Sequence, residues 1–269
     1  MKTFKFSVLA SGSTGNATLV QNKDTTIMID AGLSGKKLEQ LLEQRNMQGE
    51  QIDAIFVTHE HADHIKGLGV MCRKYKLPVY ANQATWNAMQ GKIGEIDPQF
   101  MQIIEPGEMQ TFGELQMKAF PISHDAVNPV AYWFKEGDSK LSVATDLGYM
   151  SSNVKKEIQD SDVIVLESNH DVNMLQFGKY PWNIKRRILG DTGHLSNEAA
   201  GQAIADLLEV EQVRRIYLAH LSLDHNMMEL AKVTIQHELK EKDLNLEQHN
   251  VKLMDTYPYT PTLWDEVGN

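Results

Sequence analysis

Within six residues, His59-Glu60-His61-Ala62-Asp63-His64, the chain places four side chains that bind metal ions well, and no packing requirement asks for them there. Two different periodicities bracket the stretch. Before it, Ile52, Ala54, Ile55, Phe56 and Val57 form a short apolar run rich in β-branched residues, the pattern of a buried strand. After it, Ile65, Leu68 and Met71 recur at helical spacing. The ligands therefore fall between the carboxyl end of a strand and the start of a helix, the edge at which open α/β sheets place their chemistry. His59 and His61, two apart in a chain leaving a strand, can share one ion, whereas Asp63 and His64 face differently and suit a second. Imidazole and carboxylate without thiolate suit zinc, manganese or iron better than calcium or magnesium.

A chain of 269 residues with 42% hydrophobic content buries roughly three quarters of its unfolded surface, which predicts one domain over residues 1–269. The net charge of −10 and the pI of about 5.5 work against a general nucleic-acid coat and against adhesion to anionic membranes. Any polyanion must be gripped locally. The single cysteine, Cys72, excludes an internal disulfide and points to a reducing compartment; among Val70, Met71 and Tyr75 it reads as core. The amino terminus leads into a strand rather than the apolar region of an export signal, and no run approaches membrane-spanning length. A soluble cytoplasmic protein is expected.

Several other strand patterns end in polar groups. Residues 4–10 alternate as a strand and run into Ser11-Gly12-Ser13-Thr14-Gly15-Asn16, a turn that allows close backbone approach to a metal shell or simply connects a hairpin. Two short strands follow, the second ending at Asp30-Ala31-Gly32, and Ser34 then caps a helix carrying Leu38, Leu41 and Leu42. Asp30 is either a partner of a metal ligand or a plain strand-end carboxylate. The region from Gly91 to Phe112 is broken by Pro98, Pro106 and Gly107 and specifies little. Later strands deliver His124, Asp146, Glu167 and His220 at their ends, and the tail with Val251, Leu253, Met254 and Trp264 suggests an edge strand. His225, His237 and His249 read as surface residues.

Strands ending near residues 57, 122, 145 and 219 each hand over a His or Asp, and ligands far apart in sequence must meet on rigid supports if they are to cage an ion. The expected assignment is His59, His61 and His124 to one metal, Asp63, His64 and His220 to the other, and Asp146 bridging. Such a carboxylate reduces repulsion between two ions about 3.5–4 Å apart, and a shared water there loses a proton to become a nucleophile.

His59-x-His61-x-Asp63-His64, followed by a later histidine, aspartate and histidine, resembles the metallo-β-lactamase superfamily. More narrowly, Ala10–Ala17, Asp30-Ala31-Gly32, Thr58–His61, Ala144–Gly148, Glu167–Asp171, Gly193–Ser196 and Leu218–Ser222 resemble the bacterial YycJ (also called WalJ) group, over nearly the whole chain. The resemblance implies an α/β fold of the αββα sandwich type, two mixed sheets with helices on the outer faces and metals at one edge. It also implies a phosphodiesterase with zinc or manganese, proposed to degrade double-stranded DNA 5′-to-3′. Asp63 in place of a cysteine and the lack of an export signal disfavour antibiotic hydrolysis. His61, standing where flavodiiron proteins use glutamate, separates the chain from that group.

His194 is expected to begin a helix, with backbone amides beside it forming an anion site and its imidazole protonating a leaving oxygen. Gly193-His194-Leu195-Ser196 also resembles the histidine motif with which ribonuclease Z assists phosphodiester cleavage. Lys185, Arg186 and Arg187, with Lys179, form the main basic cluster and could grip phosphates; a solvated helix face is the plain alternative. Tyr180 and Trp182 could stack on bases or belong to the core, and His170 could contact phosphate or support a ligand. The resulting expectation is a binuclear hydrolase acting on DNA, with Asp63 orienting the nucleophile and His194 as the acid. A glyoxalase-like thioesterase suits the same ligands and the acidic pI, and a regulatory binding protein stabilised by its metals is the non-enzymatic alternative.

Overall fold

The computed structural model describes residues 4–210 and 212–268. The strands are β1 (Lys5–Ala10), β2 (Ala17–Gln21), β3 (Thr26–Ile29), β4 (Ala54–Phe56), β5 (Val79–Ala81), β6 (Met101–Ile103), β7 (Met109–Phe112), β8 (Leu115–Pro121), β9 (Val130–Glu136), β10 (Ser139–Ala144), β11 (Val163–Glu167), β12 (Arg215–Ala219), β13 (Lys252–Asp255) and β14 (Asp265–Glu266). The helices are α1 (Gly35–Glu43), α2 (Ala62–Ile65), α3 (Leu68–Tyr75), α4 (Gln83–Met89), α5 (Ser152–Ile158), α6 (Val172–Phe177), α7 (Trp182–Ile188), α8 (Asn197–Leu208) and α9 (Met228–Glu241). Among the described residues the strands form two mixed seven-stranded sheets, β14-β1-β2-β3-β4-β5-β6 and β13-β12-β11-β10-β9-β8-β7. This is the expected α/β architecture. Backbone proximity separates two compact units, one of Met1–Pro121, Ala126–Ser139 and Thr256–Asn269, the other of Ile122–Asp125 and Lys140–Asp255.

In the first unit, β1, β2 and β3 are antiparallel and β3 to β6 run parallel. The period of two along β4 separates two cores. Ile55 joins Leu38, Leu41, Leu42, Leu68 and Met71 under α1 and α3, and Cys72 lies in the same cluster. Phe56 points the other way, with its ring 5.7 Å from both Phe112 of β7 and Tyr132 of β9. One layer of helix and two of strand follow from that alternation. The helical pattern from Ile65 to Met71 is interrupted at Gly67, whose amide donates to Ala31 O at 2.8 Å and where a Cβ would sit 2.2 Å from Leu33 O. The breaker-rich segment yields a single 3-10 turn (Pro98–Phe100) and the short strands β6 and β7. Thr262 fastens the tail back by hydrogen bonds with Ser7 and Val8, and Glu266 of β14 pairs with Lys5.

In the second unit β10, β11, β12 and β13 are all parallel. Every residue of β11, Val-Ile-Val-Leu-Glu, is buried, as strands covered on both faces require. Helices α5, α6 and α8 are each capped by a side chain, Ser151, Asp171 and Ser196, that accepts a backbone N–H of the first turn. The tail thus supplies two edge strands, β13 here and β14 in the first unit, rather than one. No helix among the described residues is long and apolar enough to cross a membrane.

Candidate metal centre

In the first unit, β3 and β4 are parallel neighbours, so the residues that follow them, Asp30 and Thr58-His59, leave the same edge. His59 lies in the connection, His61 is the residue before α2, and Asp63 and His64 occupy the first turn of α2. Asp30 Oδ2 lies 2.8 Å from His64 Nδ1. Its two oxygens also accept Thr58 N at 2.8 Å and Thr58 Oγ1 at 2.9 Å. Burial raises the Asp30 carboxyl above its ordinary value, an effect that His64 and Thr58 partly offset. Asp30 is therefore a hydrogen-bonding partner of His64, one of the expected ligands, and not a plain strand-end carboxylate. Thr58 Oγ1 in turn lies 3.0 Å from His59 Nδ1. The rings of His59 and His64 have centroids 4.1 Å apart, and those of His59 and His61 4.6 Å.

The two glycine-bearing turns cradle this loop. Asn16 N donates to Asp63 O at 2.8 Å, and Asn16 Nδ2 lies 3.2 Å from His64 Nε2. Gly32 permits the approach, because a Cβ there would stand 1.7 Å from Asp63 O. Glu60, inside the histidine run, accepts Val127 N at 2.9 Å and holds the loop from below.

In the second unit, Asp146, Glu167 and His220 come from the carboxyl ends of three adjacent parallel strands, β10, β11 and β12. Asp146 Oδ1 lies 3.5 Å from His220 Nε2, 3.7 Å from His124 Nε2 and 3.8 Å from His194 Nδ1. Asp146, Glu167, His194 and His220 each offer one potential ligand atom, all within 4.8 Å of one another. Glu167 has a different use. Its Oε1 lies 2.8 Å from His194 Nδ1 and 3.1 Å from His220 Nδ1, while Oε2 accepts Leu147 N at 2.7 Å and Leu195 N at 3.0 Å. Burial alone would raise this carboxyl, but the two imidazoles hold it well below the usual carboxylate range. Asn169 donates to His220 O at 2.8 Å. His124 Nδ1 lies 3.0 Å from Gly193 O, and burial lowers its imidazole pKa.

A common rule runs through both units. The Nδ1 atoms of His59, His64, His124 and His220 all lie 2.8–3.1 Å from an oxygen, of Thr58, Asp30, Gly193 and Glu167 respectively. Tethering one ring nitrogen so that the other can coordinate is how metal-ligating imidazoles are held, and the donor set of imidazole and carboxylate fits zinc, manganese or iron. Asp30, Asp146 and His220 also adopt left-handed backbone angles, with φ of 59°, 59° and 56°. For residues other than glycine this costs about 1–2 kcal/mol each, and such strain collects at functional sites.

Several expectations about the second unit change. His194 does not begin a helix: α8 starts at Asn197 with Ser196 as cap. The amides around it are engaged, His194 N with Ile188 O and Leu195 N with Glu167, so they form no anion site. His225 is buried rather than on the surface, packed beneath the Tyr180 ring at 4.3 Å. Tyr180 is occupied there, and its hydroxyl donates to Asp224 at 2.9 Å. Lys185 is buried with its ammonium on Gln176 O at 2.7 Å, which removes it from the phosphate contacts, and Arg187 is paired with Asp125. Arg186 remains exposed. His170 is buried, and desolvation pushes its imidazole down to about 4; Nδ1 lies 3.3 Å from Asn169 Oδ1 and Nε2 has no hydrogen-bond partner. Glu167, placed at a strand end by the sequence, was given no role there. Its signal was a carboxylate closing a fully apolar strand, as Asp30 closes another.

The family model described as a beta-lactamase superfamily domain matches residues 25–221. The chain is 49% identical over 257 residues to a Bacillus anthracis protein named exodeoxyribonuclease YycJ, covering 96% of this chain and 97% of that one. It is 42% identical over 266 residues to the exodeoxyribonuclease WalJ of Streptococcus pneumoniae, covering 98% of each. Among solved structures, the metallo-beta-lactamase fold protein YhfI of Bacillus subtilis superposes with a TM-score of 0.70 at 15% identity, covering 96% of this chain and 99% of that chain.

Proposed function

The chain belongs to the metallo-β-lactamase superfamily, and from that premise we propose that it is a metal-dependent phosphodiesterase acting on DNA as a 5′-to-3′ exonuclease in the cytoplasm. In this reading the residues that would hold divalent cations, zinc or manganese, are His59, His61, Asp63 and His64 of the first unit and His124, Asp146 and His220 of the second. Bound there, the cations supply Lewis acidity toward a phosphoryl oxygen and lower the pKa of a coordinated water.

The observation that carries the proposal is the pair Glu167–His194. His194 is the most accessible imidazole of its cluster, with 16% of its side chain exposed against 2% for His220. Its Nδ1 is held by a buried carboxylate, so the ring is fixed in orientation and the proton it can exchange with a departing oxygen is the one on Nε2. A phosphodiester needs such a donor more than a thioester does, because an alkoxide leaves less readily than a thiolate. Asp63, in the first turn of α2 and 24% exposed at its side chain, would orient the attacking water as well as bind. The relatives named as exodeoxyribonucleases support DNA as the substrate.

The test is to load the purified protein with manganese or zinc and offer linear duplex DNA, RNA, bis-p-nitrophenyl phosphate and a glutathione thioester. Turnover of the thioester without turnover of any phosphodiester overturns the reading. His194→Ala is expected to keep its metals and slow DNA cleavage by about 10²- to 10⁴-fold; loss of both metals in that variant removes the proton-donor assignment.

A further inference from the structure

We propose that the α6–α7 hairpin is a platform for an unpaired strand of DNA, with Phe177 and Trp182 stacking on bases and Lys179 and Arg186 contacting phosphates. The proposal rests on the phosphodiesterase reading and names the form of nucleic acid that the second unit takes up.

The chain has a net charge of −10, yet residues 172–190 contain Lys179, Lys185, Arg186 and Arg187 and no acidic residue. Two of these cations are used internally, Lys185 on Gln176 O and Arg187 on Asp125. Lys179 and Arg186 are exposed. Beside them Phe177 and Trp182, at the end of α6 and the start of α7, are 87% and 64% exposed. Folding gains nothing from leaving two large rings in water. The third aromatic of the segment, Tyr180, is taken up by Asp224 and His225, which fixes the turn between the helices and leaves Phe177 and Trp182 as the displayed pair.

Aromatic rings set among cations bind single-stranded nucleic acid, because each base offers a ring face to stack on and each phosphate a charge to neutralise. Paired bases hide those faces within the duplex stack. The hairpin is also continuous with the half-site of its own unit. Ile188, the last residue of α7, accepts His194 N at 3.0 Å. Arg187 holds Asp125, whose Oδ1 lies 3.4 Å from His124 Nε2. A strand resting on the hairpin therefore lies on an element whose last residues, Arg187 and Ile188, are bonded to Asp125 and to His194. A second copy of the chain fits this face less well, since a two-fold contact would bring the exposed cations Lys179 and Arg186 of one copy against those of the other.

The test measures binding apart from cleavage. In EDTA, a fluorescein-labelled 20-nucleotide oligo-dT is titrated with the full chain by anisotropy, alongside a duplex of equal length and vesicles of phosphatidylcholine and phosphatidylglycerol (7:3). The expected result is tighter binding of the single strand than of the duplex. Phe177→Ala and Trp182→Ala should each weaken it by about ten-fold. Lys179→Ala combined with Arg186→Ala should reduce the slope of log K against log salt by about 1.4. Leu263→Ala removes a comparably exposed apolar group, 77% exposed, from the other unit and should change nothing. Single-strand binding unaltered in Phe177→Ala and Trp182→Ala overturns the platform, as does vesicle binding or self-association that those variants abolish while oligonucleotide binding persists. Wild-type turnover of bis-p-nitrophenyl phosphate is measured separately with metal, so that failure of the phosphodiesterase reading is distinguished from failure of the platform.

Discussion

The Nδ1 of His64 lies 2.8 Å from Asp30 Oδ2, and neither side chain is more than 3% exposed. At that distance the ring N–H donates to the carboxylate, which places the lone pair on Nε2. Among the described residues Asp30 hydrogen-bonds no other imidazole, so its influence is confined to His64 and, through Thr58, to His59. Asp30→Ala is therefore expected to weaken metal affinity by about 10- to 100-fold in a chelator competition. On the proposed assignment, the loss should fall on the ion given to His64. Thr58 N would also lose its acceptor, a cost of about 1–3 kcal/mol in the metal-free protein.

Glu167 allows a sharper separation of folding from metal binding. One oxygen takes two backbone amides and the other faces two imidazoles. In Glu167→Gln the amide oxygen can still accept from Leu147 and Leu195. The side-chain NH₂ must then donate toward His194 and His220, which forces the proton of each ring onto Nε2. This variant is expected to unfold in urea near the wild-type midpoint but to bind metal about 10- to 100-fold more weakly. Glu167→Ala, which strands both amides and both rings, should instead lose about 3–5 kcal/mol of stability. Equal stability of the two variants would show that the carboxylate does not organise the cluster.

The sequence displayed the strand ends and the residue types gathered at them, because a His or Asp closing an apolar run stands out against the hydrophobic alternation. It did not display how those residues are held. Glu167 resembles any carboxylate at a strand end until Leu147 and Leu195, distant along the chain, are seen to donate to it. The left-handed turns at Asp30, Asp146 and His220 run against local preference, which reserves that region for glycine and, less often, Asn and Asp. Lys185 looked like a phosphate contact because its charge is visible in the sequence and its bond to Gln176 is not. His225 looked superficial for the same reason: its burial depends on Gly178 and Tyr180 folding over it.

Gly32 tests whether the cradle beneath the histidine loop is needed. Its φ lies outside the left-handed region, so the constraint there is space and not backbone angle. A methyl group 1.7 Å from Asp63 O and 2.5 Å from Asn16 N must push α2 or the Asn16 turn away. Gly32→Ala is expected to cost about 1–3 kcal/mol and to reduce metal content. Gly107→Ala, with nothing within 4 Å of the added atom but φ at +94°, should cost about 1 kcal/mol of stability with metal content unchanged. Circular-dichroism melts and metal analysis on both variants check the contrast.

His170 gives the metal-free protein a pH signature. Burial holds its imidazole at about 4 in the native state against an ordinary value of 6.5. Between those values the unfolded chain takes up a proton that the native state refuses, so stability is full above about pH 6.5 and declines as the pH falls toward 4. The integrated loss from this one residue is on the order of 3 kcal/mol. Glu167, depressed in the folded state, adds a loss of the same sign only below its ordinary value of 4.5. Asp30, raised by burial, acts with the opposite sign above its ordinary 3.8 but equally in the wild type and a His170→Asn variant. His124, also lowered, acts with the sign of His170 and is likewise common to both proteins. Urea denaturation in EDTA at half-unit steps from pH 7 to 5 should therefore give a shallower fall for His170→Asn than for the wild type. Parallel curves would mean that His170 is protonated as readily in the folded protein as in the unfolded one.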